Sequence, residues 1–403
     1  MEAEQFLTMT GDKHFFDLKK MQYKYSPSAV QEMLEILDRT SAAILPIRDF
    51  HGRELIFRED KAKIPPQSEK LLLAAPASDR FGMQAMEEEI HSSLAIENIR
   101  SERESIRKIL RGYAPQNAAE EKILGMKRGL DLIAERSFEI SEENLFRLYR
   151  TAVGSSLAEE DQLLPGRWYR HDKVYVVGMQ VEHEGLPSAQ LPEYMKRFVE
   201  FINTPDGLNE LAKAALIHFY FAYLHPYFDG NGRTARLLQI WYLIQRGYPA
   251  ALFVSFSEHI NRSRPAYYRA YRQIEENERI SGRIDATPFV AYFSGHVYRE
   301  LLRARPEDGL MQRYQAALAA GEITPKEKLL WEFVLSFYGS SAFSTKQLEK
   351  DHGDAAYATI RSFVLKFSEL GLLQKETYGS RNRYRAIGFP PLREEKGGPY
   401  GAD

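Results

Sequence analysis

His225-Pro-Tyr-Phe-Asp229-Gly-Asn-Gly-Arg233-Thr-Ala-Arg236 joins two helical, strongly apolar patterns, Gly207–Leu224 and Gly232–Arg246. Pro226 disfavours a helical conformation at the residue before it, so the first helix is expected to end at His225. Gly230, Asn231 and Gly232 then allow a tight turn into the second helix. Such a turn leaves the first N–H groups of a helix without partners and aimed at whatever lies in front, which suits an anion. Arg233 and Arg236 stand three apart in the first turn, where the helix dipole favours negative groups; a bound phosphate removes that conflict. Asp229 offers a hard carboxylate beside the turn, suited to Mg2+ shared with phosphate oxygens. His225 can take a proton near neutral pH. Together these residues describe a phosphate-ester transfer site. Each taken singly also reads as an ordinary helix corner with a structural histidine and surface arginines.

Further helical patterns cover Met83–Ile99, Glu120–Glu135, Ser141–Val153, Gln190–Ile202 and Ser263–Asn277, with Ser141 followed by Glu142–Glu143 as a good helix start. Between them, Leu164–Val181 breaks the rhythm: Pro165-Gly166 is turn punctuation, and Val174–Val177 is β-branched and aromatic, so a short hairpin is expected. Residues 1–80, with Pro46, Pro65, Pro66 and Pro76, read as an N-terminal helical region packing on the next part of the chain. At the other end, Lys326–Tyr338 is a helix, Ser344 to Gln347 a capping box opening a second, and Asp354–Leu370 a third. Strands Leu372–Lys375 and Arg383–Ile387 then flank a turn at Tyr378–Asn382. Three helices followed by a hairpin is the order of a winged helix. The polar segment Arg305–Glu322 reads as the linker to it, and residues from Pro390 onward as a frayed tail. The expected division is 1–80, 81–305 and 325–388, and the expected class is mainly α.

The chain has 403 residues and a formal net charge of -2, so its overall field favours neither nucleic acid nor an anionic membrane. It contains no cysteine, which excludes disulfides, thiolate metal sites and a thiol nucleophile and is compatible with the cytoplasm. The N-terminus lacks the pattern of a signal peptide, and no run of 18 apolar residues predicts a membrane span. No Walker A loop, HExxH or kinase signature competes with the His225–Arg236 segment.

That segment resembles the motif HPFx(D/E)GN(G/K)RxxR of the Fic domain, with Tyr227 where the family has Phe. Residues from about 90 to 300 look like a Fic domain, and the tail resembles the winged helix attached to many bacterial members. The resemblance implies a helical Fic fold with a β-hairpin flap and a protein adenylyltransferase that moves AMP from ATP to a Ser, Thr or Tyr hydroxyl. It implies His225 as general base, Asp229 as Mg2+ ligand, and Gly230, Asn231 and Gly232 as an anion hole, with Thr234 and Ala235 in the same nucleotide-binding turn. Arg233 and Arg236 would grip the β- and γ-phosphates, and Gly232, where phosphorylating members have Lys, favours AMP transfer. Tyr268 falls where the family contacts adenosine; an ordinary helix aromatic is the lesser alternative. Lys173, Val174, Tyr175 and Val176 fall at the flap, which holds an extended target by strand pairing.

Upstream, Ser93-Leu-Ala-Ile-Glu97-Asn98 matches the family's inhibitory motif (S/T)xxxE(G/N). Ser93 and Glu97 share a helix face, and by resemblance Glu97 would pair with Arg236 and occupy the arginine that the γ-phosphate needs. The same carboxylate would alternatively position a water that removes AMP. Asn98, uncharged, is expected to matter less. Basic residues on the third tail helix and the wing, Arg361, Lys366, Lys375, Arg381, Arg383 and Arg385, admit DNA or protein as partner. A DNA-binding regulator with a nucleotide-sensing Fic domain therefore stands beside the enzyme, as does transfer of a different phosphate-containing group. The target, self-modification and homo-oligomer formation stay open.

Overall fold

The computed structural model describes residues 1–73, 82–135, 137–177, 181–303, 308–338, 342–378 and 381–387. They fall into two compact units, Met1–Pro76 with Met86–Glu300, and Ala77–Ala85 with Leu301–Asp403. The chain is mainly helical, with three two-stranded antiparallel hairpins among the described residues.

The first unit opens with α1 (Ala3–Thr10), α2 (Leu18–Tyr25) and α3 (Pro27–Thr40), then the hairpin β1 (Ala43–Arg48) and β2 (Glu54–Phe57), then α4 (Pro66–Leu73). The expected N-terminal helical region thus also contains a hairpin. Asp49, Gly52 and Arg53 close its turn: the Asp49 carboxylate accepts from the amides of His51 and Arg53, and Gly52 takes φ +79°. This segment is stitched onto the far end of the unit. Ile56 exchanges backbone hydrogen bonds with Ile284 and Ala286, and Arg58 pairs with Asp38 and Asp285.

The central helices are α5 (Met83–Ile96), α6 (Arg103–Leu110), α7 (Ala118–Ile133) and α8 (Glu142–Ala152). A hairpin of β3 (Tyr175–Val177) and β4 (Val181–Glu184) follows, then α9 (Leu191–Asn203), α10 (Glu210–Leu224), α11 (Asn231–Gln245), α12 (Phe256–Arg262), α13 (Arg264–Ser281) and α14 (Thr287–Tyr292). A π-helical segment, Phe293–Tyr298, carries α14 into α15 (Arg299–Arg303). The α5 helix stops three residues before the expected Ile99, because Asn98 turns left-handed and ends it. Helices α10 and α11 are buried almost all round, as helices apolar on every face must be. They pack against each other, and the loop that joins them, residues 225–230, is buried at Pro226, Tyr227 and Gly230 and partly open at His225, Phe228 and Asp229. His218, in α10, is fully buried and bonded to Gln239 and Tyr267, the core histidine that its apolar neighbours predict.

The second unit contains α16 (Asp308–Ala319), α17 (Pro325–Phe337), α18 (Thr345–His352), α19 (Tyr357–Glu369) and the hairpin β5 (Leu373–Tyr378) and β6 (Arg381–Ala386). Thr324 with Glu327, and Ser344 with Gln347, form capping boxes at the starts of α17 and α18. A single bridge between Phe343 and Tyr384 adds a short third strand segment to the hairpin. The segment expected to be a polar linker is instead largely α16. Ala317 is buried in this unit's core with Tyr314 packed against it, because Tyr314 and Ala317 stand three apart on one helix face inside a polar average. Both strands run further toward each other than expected; residues 379 and 380 of the expected turn, and the tail from Pro390, lie outside the described residues. No helix among the described residues is long and apolar enough to cross a membrane.

Candidate active site

The loop from α10 to α11 is built by short-range bonds. His225 caps α10 in the left-handed region, φ +52° and ψ +60°, a conformation that costs an ordinary L-residue about 1–2 kcal/mol. Its Nδ1 lies 3.2 Å from the Ala222 carbonyl, which makes Nδ1 the donor and leaves the basic lone pair on Nε2. Asn231 binds the loop to itself, accepting from the Tyr227 amide at 2.9 Å and donating to the Tyr227 carbonyl at 2.8 Å. Gly230 takes φ +80°, and a Cβ there would collide with Val153. Thr234 donates to the Gly230 carbonyl, and Ala235 is buried behind the turn. Tyr227 is fully buried and stacked on Tyr149, with ring centroids 3.5 Å apart, so the aromatic position is core.

Both arginines of the first α11 turn are buried, Arg233 at 0% and Arg236 at 2% exposure. Arg233 pairs with Asp229 at 2.6 Å, and the Asp229 carboxylate, 44% exposed, also accepts from the Gly230 amide. Arg236 reaches α5: its Nε donates to Ser93 Oγ at 2.8 Å, and its Nη2 donates to the Ser93 carbonyl at 3.0 Å and to Glu97 at 2.9 Å. Burial works against the Arg236 charge, and Glu97 with its neighbours more than offsets that, holding the guanidinium above its ordinary pKa. Arg233 Nε and Nη1 and Arg236 Nη1 are nonetheless buried without a hydrogen-bond partner. Leaving charged donors unsatisfied in the interior is costly, and an anion would satisfy them.

Glu97 sits on that same anion turn. A Cβ on Gly232 would collide with Glu97 Oε1, so the carboxylate rests against the start of α11, where helix N–H groups favour a negative charge. Its own backbone is set by the way α5 ends. Ile99 N–H bonds the Leu94 carbonyl and Asn98 N–H that of Ala95, with Asn98 left-handed at φ +57°. This is a Schellman termination, which admits Gly or Asn at the left-handed position. Arg264 holds it by donating to the Ala95 carbonyl and the Asn98 side chain. Asn98, expected to matter less, thus forms the left-handed residue of the turn that directly follows Glu97.

Glu97, His225 and Gly232 line one cavity of about 150 Å³ with Tyr267, Tyr268 and Tyr271. Tyr268 also donates from its hydroxyl to the Ile96 carbonyl of α5. The structure thus brings His225, Gly232, Glu97 and Tyr268 to one space, with Ser93, Asp229, Arg233 and Arg236 bonded around it. Among the described residues no cluster of three or more His, Asp or Glu side chains could hold a metal by itself. One exposed carboxylate beside orphaned guanidinium donors fits an Mg2+ that arrives with phosphate oxygens.

The β3–β4 hairpin stands beside this loop. Tyr175 pairs with Glu184 and Val176 with His183, while the Val174 carbonyl accepts from the Gly185 amide at 3.0 Å. Lys173 is exposed and pairs with Glu184, and Tyr175 is 46% exposed.

Two residues escaped the sequence reading. Glu89 is fully buried on α5 and accepts from Ser255 and from the amide and hydroxyl of Ser257, anchoring that helix to α12. Its place at the end of the run Glu87–Glu89 reads as a solvated face; the spacing Glu89, Ser93, Glu97 was the available signal. Arg170, buried at 1% exposure, carries no local pattern at all.

Residues 139–243 match the model of the Fic/DOC family. Proteins named protein adenylyltransferase Fic from Drosophila willistoni and Drosophila grimshawi are each 28% identical over 178 residues, 43% of this chain. The match covers 31% and 32% of those relatives, so the chain spans about a third of their length. A Fic family protein from Desulfovibrio desulfuricans G20 superposes with a TM-score of 0.47 at 20% identity, over 77% of this chain and 88% of that one. Fic-1 (aa134–508) from C. elegans gives 0.47 at 19% identity, over 74% and 79%.

Proposed function

We propose that this protein is a Fic-family protein adenylyltransferase, held inactive by Glu97. The observation that carries the reading is the pair of buried arginines on the α11 turn with three guanidinium nitrogens unpartnered among the described residues, following the loop that opens with His225, whose basic nitrogen is Nε2. A polyphosphate satisfies those donors, and Arg233 and Arg236 take its β- and γ-phosphates in charge-assisted bonds. Asp229 would hold Mg2+, which would supply neutralisation of the phosphate charge. Adenosine lies along Tyr267, Tyr268 and Tyr271. An extended target segment pairs with the hairpin at Lys173–Val176, which acts as the flap.

His225 Nε2 accepts the proton of the target hydroxyl as its oxygen bonds the α-phosphorus. The bond from that phosphorus to the α–β bridging oxygen breaks, and pyrophosphate leaves with its charge held by Arg233 and Arg236. In the resting state Glu97 holds Arg236 and occupies the start of α11, so a γ-phosphate meets both a missing donor and a negative charge. In the unmutated protein the same Glu97 carboxylate would position a water that removes AMP again.

The second unit acts as a docking module of winged-helix type. Its charges favour DNA less than the sequence did: Lys366 is paired with Glu327 and Arg385 with Glu376. Arg361 is exposed on α19, and the Arg381 side chain lies outside the described residues.

The test is AMP incorporation from ATP in a Glu97→Gly background with and without His225→Ala. Loss of the base should lower the rate by about 10²–10⁴-fold with nucleotide binding intact. Equal rates would remove His225 from its role.

A further inference from the structure

We propose that Arg170 is a positioning residue that ties the backbone of His225 to both stems of the β3–β4 hairpin, so that base and bound target keep one register. The inference rests on the proposed transfer reaction. Arg170 spends its whole guanidinium on backbone carbonyls. Nε donates to His225 O at 2.7 Å, Nη1 to Asp172 O at 2.6 Å, and Nη2 to Leu186 O. Its own amide donates to Pro226 O at 3.0 Å. Asp172 lies just before β3 and Leu186 just after β4, so a single side chain grips the entry and exit of the hairpin and the residue that carries the base. Leu186 N–H closes the circuit on Leu224 O at 3.3 Å.

The physical need is visible in His225 itself. A left-handed non-glycine residue persists only where its surroundings hold it, and the carbonyl that Arg170 grips belongs to that residue. The cation also lies at the C-terminus of α10, where the helix dipole favours positive charge. Burial draws its pKa down to about 10, with Asp172 and Glu184 opposing, so it stays charged at neutral pH. Lysine would place one compact nitrogen where three divergent carbonyls must be met by a planar fork. Gly185 completes the joint. A Cβ there would stand 2.7 Å from Arg170 Nη2, 2.7 Å from Val174 Cγ1 and 3.1 Å from His225 Cβ, so glycine alone lets the hairpin stem approach base and guanidinium together.

The experiment uses the full chain in the Glu97→Gly background, with Arg170→Ala, Arg170→Lys and Gly185→Ala added singly. Affinity for Mg2+ and a fluorescent ATP analogue is measured beside self-AMP incorporation at saturating ATP. A displacement of about 1 Å costs on the order of 10²-fold in rate. We expect incorporation to fall about 10–100-fold in all three variants, with nucleotide affinity within about twofold of the background. Added guanidinium chloride should restore part of the Arg170→Ala rate, and equal sodium or ammonium chloride should not. If Arg170→Ala fails to fold, Gly185→Ala carries the same test with the arginine in place. Incorporation at the background rate in the folded variants overturns the proposal, as does a parallel loss of nucleotide affinity. If Glu97→Gly itself incorporates no more AMP than the parent, the transfer reading fails first and this inference with it.

Discussion

Replacing Glu97 by Gly removes the carboxylate that both binds Arg236 and rests on the start of α11. The lost contact is a charge-assisted bond at 2.9 Å between a buried guanidinium and a carboxylate about one-third exposed. Such a bond is worth about 1.5–3 kcal/mol. On the proposed reading, a γ-phosphate would have to displace it before reaching Arg236. At 1.4 kcal/mol per factor of ten, its removal should raise AMP incorporation about 10–150-fold. Stability should fall less than for a fully buried pair, where losing one partner costs about 3–5 kcal/mol. Arg236 keeps both bonds to Ser93, and the buried Glu89 stays close enough to favour its charge. The expected loss is about 1–2 kcal/mol, seen as a melting temperature lower by a few degrees. The assay is mass-spectrometric detection of AMP on the protein in parent, Glu97→Gly, Glu97→Gln and Glu97→Gly/His225→Ala. The Gln variant keeps the bulk over Gly232 without the charge and should fall between parent and Gly. Equal, weak incorporation by all four would refute both the brake and the base.

With Asp229→Ala, or with excess chelator, incorporation by the released enzyme should collapse, since one carboxylate holds the metal with the phosphates; full activity in chelator would exclude that ligand. Asn98→Val should release the brake partly, because a β-branched residue in the left-handed region is strained by about 1–2 kcal/mol, whereas Asn98→Gly should not; identical basal incorporation by both would show that the turn does not aim Glu97. Acid should weaken the fold through two buried histidines: burial depresses His218 to about 3 and His259 to about 4, while both sit near 6.5 when unfolded. Between pH 6.5 and 4 the unfolded state then binds more protons, so stability drops by up to about 1.4 kcal/mol per pH unit per histidine, blunted by Glu89, whose buried carboxyl is shifted the opposite way; a urea midpoint equal at pH 7.5 and 5.5 would contradict this. Finally, the full chain should bind duplex DNA weakly if at all, because Lys366 and Arg385 already have partners; tight, steeply salt-dependent binding lost in Arg361→Glu would favour the regulator.

Local rules were enough for much of this protein. Pro226 after an apolar helix, the glycines at 230 and 232, and the caps at Ser141 and Ser344 act within a few residues, so helix ends and the shape of the anion turn were legible from the sequence. The spacing of Ser93 and Glu97 likewise placed both on one face. Where the sequence reading missed, the signal was averaged away or non-local. Polar residues hid the apolar stripe of α16, and Asp49 with Gly52 turned a segment read as helical into a hairpin. That Asn98 shapes the turn under Glu97 emerges only once Arg264, 166 residues away, is seen to hold it. Glu89 and Arg170 were invisible for the same reason: their partners are carbonyls and hydroxyls brought in by packing, and a backbone carbonyl has no signature in a sequence. Residue types and short spacings determine what chemistry is available. Only the tertiary structure decides which charges are stripped of water, which donors are left without partners, and which carboxylate rests on the start of a helix 135 residues away in sequence.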